Sequence, residues 1–154
     1  MAGNPLVIID VQPGLFPAAR HEPLLSAIAI EITCAQQRQD PIIFLEYFWK
    51  EYRLEKIQSD VRLLKLAGPS AIRLYKYTQD GAKVLKSFCL KQFGYLPSLR
   101  IVGVNTDQCV LSTVTTWSKI SPKPVTVNST GCWSRYDHQF GLMNLRSLPK
   151  VTVI

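Results

Sequence analysis

Runs of consecutive apolar residues alternate along this chain with segments whose apolar positions recur every three or four residues. Leu6-Val7-Ile8-Ile9 is a run of the first kind, the signature of a strand buried on both faces. Pro23 opens a helical pattern carried by Leu24, Leu25, Ile28, Ile32 and Ala35 that ends near Asp40-Pro41, and Pro41 to Leu45 reads as the next strand. A helical stretch with Leu54, Ile57, Val61, Leu64 and Leu66 runs to Gly68-Pro69, followed by a strand from Ala71 to Tyr75 and a helix from about Asp80 to Phe93. Ile101 to Val104 is a fourth strand. Asn105, Thr106 and Asp107 are turn and N-cap residues that hand over to a helix beginning near Cys109. Pro124 to Asn128 then makes a strand, Asp137 to Leu148 a helix and Val151 to Ile154 a last strand. Six strands alternating with five helices require right-handed crossovers and a mainly parallel sheet covered on both faces, an α/β chain with three α/β/α layers. At 154 residues the chain is long enough for one core and too short for two ordinary domains, so residues 1–154 read as a single domain.

In a sheet of this kind a ligand sits outside the carboxyl ends of the strands. Three of those ends carry reactive groups: Asp10 after the first strand, Lys76 after the third and Cys109 beyond the fourth. A cysteine in a first helical turn meets unpaired N–H groups and the positive end of the helix dipole. These favour thiolate over thiol and can hold an oxyanion, as in a nucleophile elbow with sulfur in place of oxygen. Taken singly, each residue has a plainer reading: a core cysteine, a solvated lysine, a turn-capping aspartate. Together they form a set for acyl transfer, because an ammonium supports a thiolate and a carboxylate can take and return a proton.

The remaining composition narrows the partners. Cys34, Cys89, Cys109 and Cys132 lie far apart with no C-x-x-C spacing, so free thiols are expected, with Cys34 and Cys89 packed in the core. The opening residues have no basic stretch before Leu6 to Ile9, and neither a secretory signal nor a membrane span is expected; the expected compartment is the cytoplasm. The net charge of +7 comes from residues 50 to 100, where eleven Lys or Arg face Glu51, Glu55, Asp60 and Asp80. Such a segment can attract an anionic partner. Its basic residues are scattered singly among apolar ones, however, which favours solvated helix faces over a nucleic-acid surface.

Several segments resemble the isochorismatase-like cysteine hydrolases, a family that includes nicotinamidases and N-carbamoyl amide hydrolases. Leu6-Val-Ile-Ile-Asp-Val-Gln12 is similar to the family's opening strand with its Asp-x-Gln signature, followed by a phenylalanine, here Phe16. Leu74-Tyr-Lys76 resembles its lysine strand, and Gly103-Val-Asn-Thr-Asp-Gln-Cys-Val110 its Gly-x-x-Thr-x-x-Cys-Val loop. Cys132-Trp-Ser-Arg135 with His138 is similar to a further segment that precedes a helix.

The resemblance implies Cys109 as nucleophile, Asp10 as general base and Lys76 as the cation supporting both. It also implies a non-proline cis peptide bond at Val104-Asn105, with loop N–H groups directed at the substrate oxygen. Phe16, Trp49, Val104 and Asn105 are the candidate substrate contacts, Trp49 from a segment where the chain departs from the family, and relatives commonly form homo-oligomers. Where nicotinamidases place an Asp-x-His metal motif, this chain has Glu46-Tyr-Phe-Trp-Lys50, so no catalytic metal and no cofactor is expected. Tyr47, Phe48, Trp49 and Tyr52 can wall a pocket by stacking on a planar substrate, although aromatics near a strand end more often belong to a core or a subunit interface. Tyr77-Thr-Gln-Asp80 lacks the Ser-x-Phe usual after the lysine, and His138 reads first as a packing or capping residue. The expected activity is metal-independent hydrolysis of a small planar amide, carbamoyl or ureido compound through a cysteine thioester. The rivals are a non-catalytic domain that binds an anionic partner or nucleic acid through the basic segment, and a redox-sensing Cys109.

Overall fold

The structure, a computed structural model, describes residues 3–51 and 57–154. Its strands are β1 (Leu6–Ile9), β2 (Ile42–Tyr47), β3 (Ile72–Lys76), β4 (Leu99–Val104), β5 (Val125–Trp133) and β6 (Val151–Val153). They form one sheet in the order β3-β2-β1-β4-β5-β6, and every pairing is parallel, so the expected mainly parallel sheet is wholly so among the described residues. The helices among the described residues are α1 (Glu22–Arg38), α2 (Val61–Ala67), α3 (Ala82–Phe93), α4 (Leu111–Ile120) and α5 (His138–Ser147), with a 3-10 turn at Pro17–Arg20 and a π turn at Thr106–Val110.

The unbroken apolar runs follow from burial on both faces. Alternate residues point to opposite sides of a strand. Leu6, Ile8, Ile42, Phe44, Val102 and Val104 therefore pack with Ile28 and Ile32 of α1 and Leu63 of α2. Val7, Ile9, Ile43, Leu45 and Ile101 pack on the other face with Leu85 of α3, Trp117 of α4 and Leu145 of α5. The result is the expected three layers.

Two elements differ from their sequence patterns. The helical stretch expected through Ile57, Val61, Leu64 and Leu66 is interrupted before Asp60, and α2 begins at Val61. Asp60 caps α2 by accepting the Arg62 N–H at 2.9 Å, and it is Leu63 and Ala67 that turn inward while Val61 and Leu66 are exposed. Leu54 and Tyr52 lie outside the described residues. The strand expected to stop at Asn128 continues to Trp133, because the turn-forming residues 128–131 make an irregularity rather than an end. The register passes from Ile101 against Val127 to Gly103 against Cys132. Cys89 is a core residue as expected, whereas Cys34 is only half-buried.

Gly103 sets how closely β4 approaches β1. Its φ is +136°, and a Cβ there would lie 2.2 Å from the Ile9 carbonyl oxygen, a fixed backbone atom. Gly103→Ala is expected to cost about 2–3 kcal/mol by overpacking and backbone strain. Urea unfolding checks this; an unchanged midpoint would mean that the strands separate at no cost.

Candidate active site

β1 and β4 are neighbours at the position where the strand order reverses, the place at which open α/β sheets form a crevice. Asp10 follows the last residue of β1 in a left-handed conformation, φ +57°. The peptide bond Val104-Asn105 at the end of β4 is cis, as the resemblance implied. From there the chain enters the π turn rather than an α-helix: the Val110 N–H donates to the Asn105 carbonyl at 3.2 Å, and the Leu111 N–H to the Thr106 carbonyl. Cys109 sits within this turn, ahead of α4.

Lys76 reaches the same point from an edge strand. Neighbouring strands lie about 4.8 Å apart, so its side chain has to cross the end of β2, where Tyr47 stands opposite it in register. The tyrosine ring supplies the path. Lys76 Nζ lies 4.4 Å from the Tyr47 ring centroid, donates to the Thr78 carbonyl at 3.0 Å and pairs with Asp10 Oδ2 at 3.0 Å. Asp10 and Lys76 are completely buried and Cys109 is 4% exposed. The structure thus brings the three expected residues into one cluster.

The electrostatics differ from the expectation at Cys109. Burial pushes its thiol up to about 12, and the adjacent Asp10 charge pushes the same way, with Lys76 opposing. The expectation of a thiolate stabilised at rest is therefore corrected: it counted the helix start and could not count the desolvation. Asp10 is also raised, first by burial, against the lowering effects of Lys76 and of the thiol hydrogen bond. The arrangement is a protonated thiol beside a carboxylate with raised proton affinity, poised for transfer from one to the other.

Of the other expected contacts, Asn105 is buried and its Oδ1 accepts the Arg135 N–H at 3.0 Å. Its own N–H donates to none of the described residues. The Val104 side chain is wholly buried in the α1-side core. Phe16 is half-buried against the same core. Trp49 is 47% exposed and tilts over Tyr47, ring centroids 5.7 Å apart, while Phe48 meets Tyr75 and Tyr77 edge-on. Glu46 is committed elsewhere: its carboxylate takes Arg73 at 2.9 Å and the Ser59 N–H at 2.9 Å. Among the described residues no group of three or more His, Cys, Asp or Glu side chains is placed to hold a metal ion.

Gln12 has a role that its place in a signature did not reveal. It is fully buried, its Oε1 accepts the Tyr47 N–H at 2.8 Å, and its Nε2 donates to the Tyr47 carbonyl at 3.0 Å and to the Ile57 carbonyl. One side-chain amide thereby holds the strand end whose ring lies against Lys76. Gln12→Leu leaves these backbone groups unpaired and is expected to cost about 2–3 kcal/mol. Thermal unfolding measures it, and a loss below the scatter of surface substitutions would show that water replaces the amide.

No protein-family profile and no curated protein matches this sequence. Solved structures do match its fold. A nicotinamidase from Staphylococcus aureus superposes with a TM-score of 0.83 at 22% identity, over 99% of this chain and 98% of that one. An isochorismatase-like hydrolase from Alkaliphilus metalliredigens gives 0.80 at 18% identity, over 99% and 95%. The chain has the isochorismatase-like fold. A ribonuclease from Caenorhabditis elegans shares it too, with a TM-score of 0.79 at 16% identity over 99% of this chain and 77% of that one. The isochorismatase-like fold thus carries proteins of differently named activities, and the chemistry here has to be argued from the cluster itself. No helix among the described residues is long and apolar enough to cross a membrane.

Proposed function

We propose that this protein is a metal-independent cysteine amidohydrolase acting on a small planar amide, carbamoyl or ureido compound. The observation that carries the reading is the buried Asp10–Lys76 pair at 3.0 Å in direct electrostatic contact with Cys109. Burying an ion pair costs several kcal/mol in desolvation. A core gains nothing from that cost that apolar residues would not supply, whereas a nucleophile gains a base and a counter-charge.

In the reaction, Asp10 takes the thiol proton as the sulfur attacks the carbonyl carbon. A C–S bond forms and the carbonyl π pair moves to oxygen, where the N–H groups of Asn105 and Cys109 receive it. The intermediate collapses with cleavage of the C–N bond, and protonated Asp10 gives its proton to the departing nitrogen. Water then attacks the thioester, Asp10 takes a proton from it, and the C–S bond breaks to return the thiol and a carboxylic or carbamic acid. Lys76 keeps the carboxylate charged between these steps. Trp49 and Tyr47 offer the flat faces that favour a planar substrate. The nicotinamidase of the same fold supports this choice of substrate class.

Ammonia release from nicotinamide and from N-carbamoyl amino acids tests the reading, with Asp10→Asn as control. Release by the wild type that Asp10→Asn lowers at least a hundredfold is expected; equal release by both would remove Asp10 from the chemistry.

A second reading is favoured by the charge of residues 50 to 100 and by the ribonuclease of the same fold. Lys83, Lys86 and Lys91 of α3 are exposed and would bind a phosphate backbone. This reading predicts binding of single-stranded RNA that weakens steeply with salt and is indifferent to Cys109→Ala.

A further inference from the structure

Three successive residues of the nucleophile loop are tied, each by its side chain, to the segment from Ser134 to His138, which links β5 to the first residue of α5. Asn105 accepts the Arg135 N–H at 3.0 Å, Thr106 Oγ1 lies 2.7 Å from His138 Nδ1, and Asp107 accepts the Ser134 hydroxyl with one oxygen and the Asp137 N–H at 3.2 Å with the other. Gly141 brings α5 closer still: a Cβ there would lie 2.7 Å from the Asp107 nitrogen. The proton transfers of the Asp10–Lys76–Cys109 cluster use none of these side chains.

Of these ties, the one from His138 reaches deepest. Thr106 is completely buried, and its carbonyl accepts the Leu111 N–H that closes the π turn around Cys109. A shift of Thr106 therefore moves the turn that carries the sulfur. We propose that His138 is a positioning residue for the nucleophile, holding Thr106, and with it the π turn, where the Cys109 sulfur faces the Asp10 carboxylate. This rests on the reading of Cys109 as nucleophile, and its test requires no substrate. Burial lowers the proton affinity of the His138 ring, Asp107 of the loop raises it and Arg146 of α5 lowers it. In the neutral ring the tautomer with its hydrogen on Nε2 accepts the threonine hydroxyl at Nδ1, and the other tautomer donates from Nδ1 to the threonine oxygen; either keeps the tie.

The test is alkylation by iodoacetamide at each cysteine as a function of pH, read by peptide mass spectrometry. His138→Ala is expected to lower the Cys109 midpoint by about one pH unit or more, because the thiol leaves the carboxylate and the buried site that raise it. His138→Asn, whose side-chain amide places a polar atom near the Nδ1 position, is expected to retain the wild-type midpoint. Thr106→Val, which removes the hydroxyl and keeps the volume, is expected to repeat the alanine result; it also supplies the answer if His138→Ala does not fold. Cys89 and Cys132 serve as internal references that should not move. An unchanged Cys109 midpoint in both His138→Ala and Thr106→Val overturns the proposal, as does an equal shift at Cys132, which would mark general loosening. Asp10→Asn separates this from the larger reading. If that variant lowers the Cys109 midpoint and the His138 variants do not, the site stands and the positioning role falls. If none of them moves it, the nucleophile reading falls as well.

Discussion

Cys109→Ala is expected to lower amide hydrolysis by roughly four orders of magnitude or more while leaving the domain folded. The size follows from the chemistry: no other described side chain in the cluster can form the acyl intermediate, and removing a nucleophile forfeits the whole covalent route. The small structural cost follows from the packing. The substitution removes one sulfur atom beside a charge pair that remains intact, a loss of about 1 kcal/mol, and it removes the desolvated thiol that now stands next to Asp10. Circular dichroism and ammonia release on the same preparation check both halves. Retained turnover would mean that the carboxylate alone activates water.

Lys76→Met is expected to cost about 3–5 kcal/mol near neutral pH, the loss found when one partner of a buried ion pair is removed. Methionine matches the apolar stem that lies over Tyr47, so the effect isolates the charge. Asp10 is already raised by burial, and without the ammonium that opposes this it rises further. The folded state then binds a proton that the unfolded state releases, so stability falls as pH rises from the ordinary carboxylate value toward the folded value, by up to about 1.4 kcal/mol per pH unit. Urea unfolding at acidic and at neutral pH should therefore show the variant close to wild type in acid and far below it at neutrality. Asp10→Asn in the Lys76→Met background should recover part of the loss, since it removes the unpaired charge. A pH-independent deficit would assign the cost to packing instead.

Much of this was legible in the residue pattern. Leu6 to Ile9 and Ile101 to Val104 are unbroken apolar runs because both faces of the sheet are covered, and in such a sheet the strand ends are where reactive groups converge. That logic brought Asp10, Lys76 and Cys109 together in advance. What the pattern could not carry was depth. A helix-start cysteine and a cysteine in a desolvated π turn have the same local sequence, and only burial decides that the thiol is raised rather than lowered. The extension of β5 was hidden for a different reason: Asn128-Ser-Thr-Gly131 has turn composition, yet the strand resumes beyond it, with Cys132 paired opposite Gly103 of β4. His138 and Gln12 act through partners far away in sequence, Thr106 and Tyr47, so the family-like segments that contain them marked the residues without showing what they hold.

Formation of an acyl intermediate on Cys109 can be trapped by quenching the protein in acid during turnover of nicotinamide or an N-carbamoyl amino acid and mapping its peptides by mass spectrometry. An acyl or carbamoyl group is expected on the Cys109 peptide, absent from the Cys34, Cys89 and Cys132 peptides and lost in Asp10→Asn. Turnover with an unmodified Cys109 peptide, undiminished in Cys109→Ala, would contradict it.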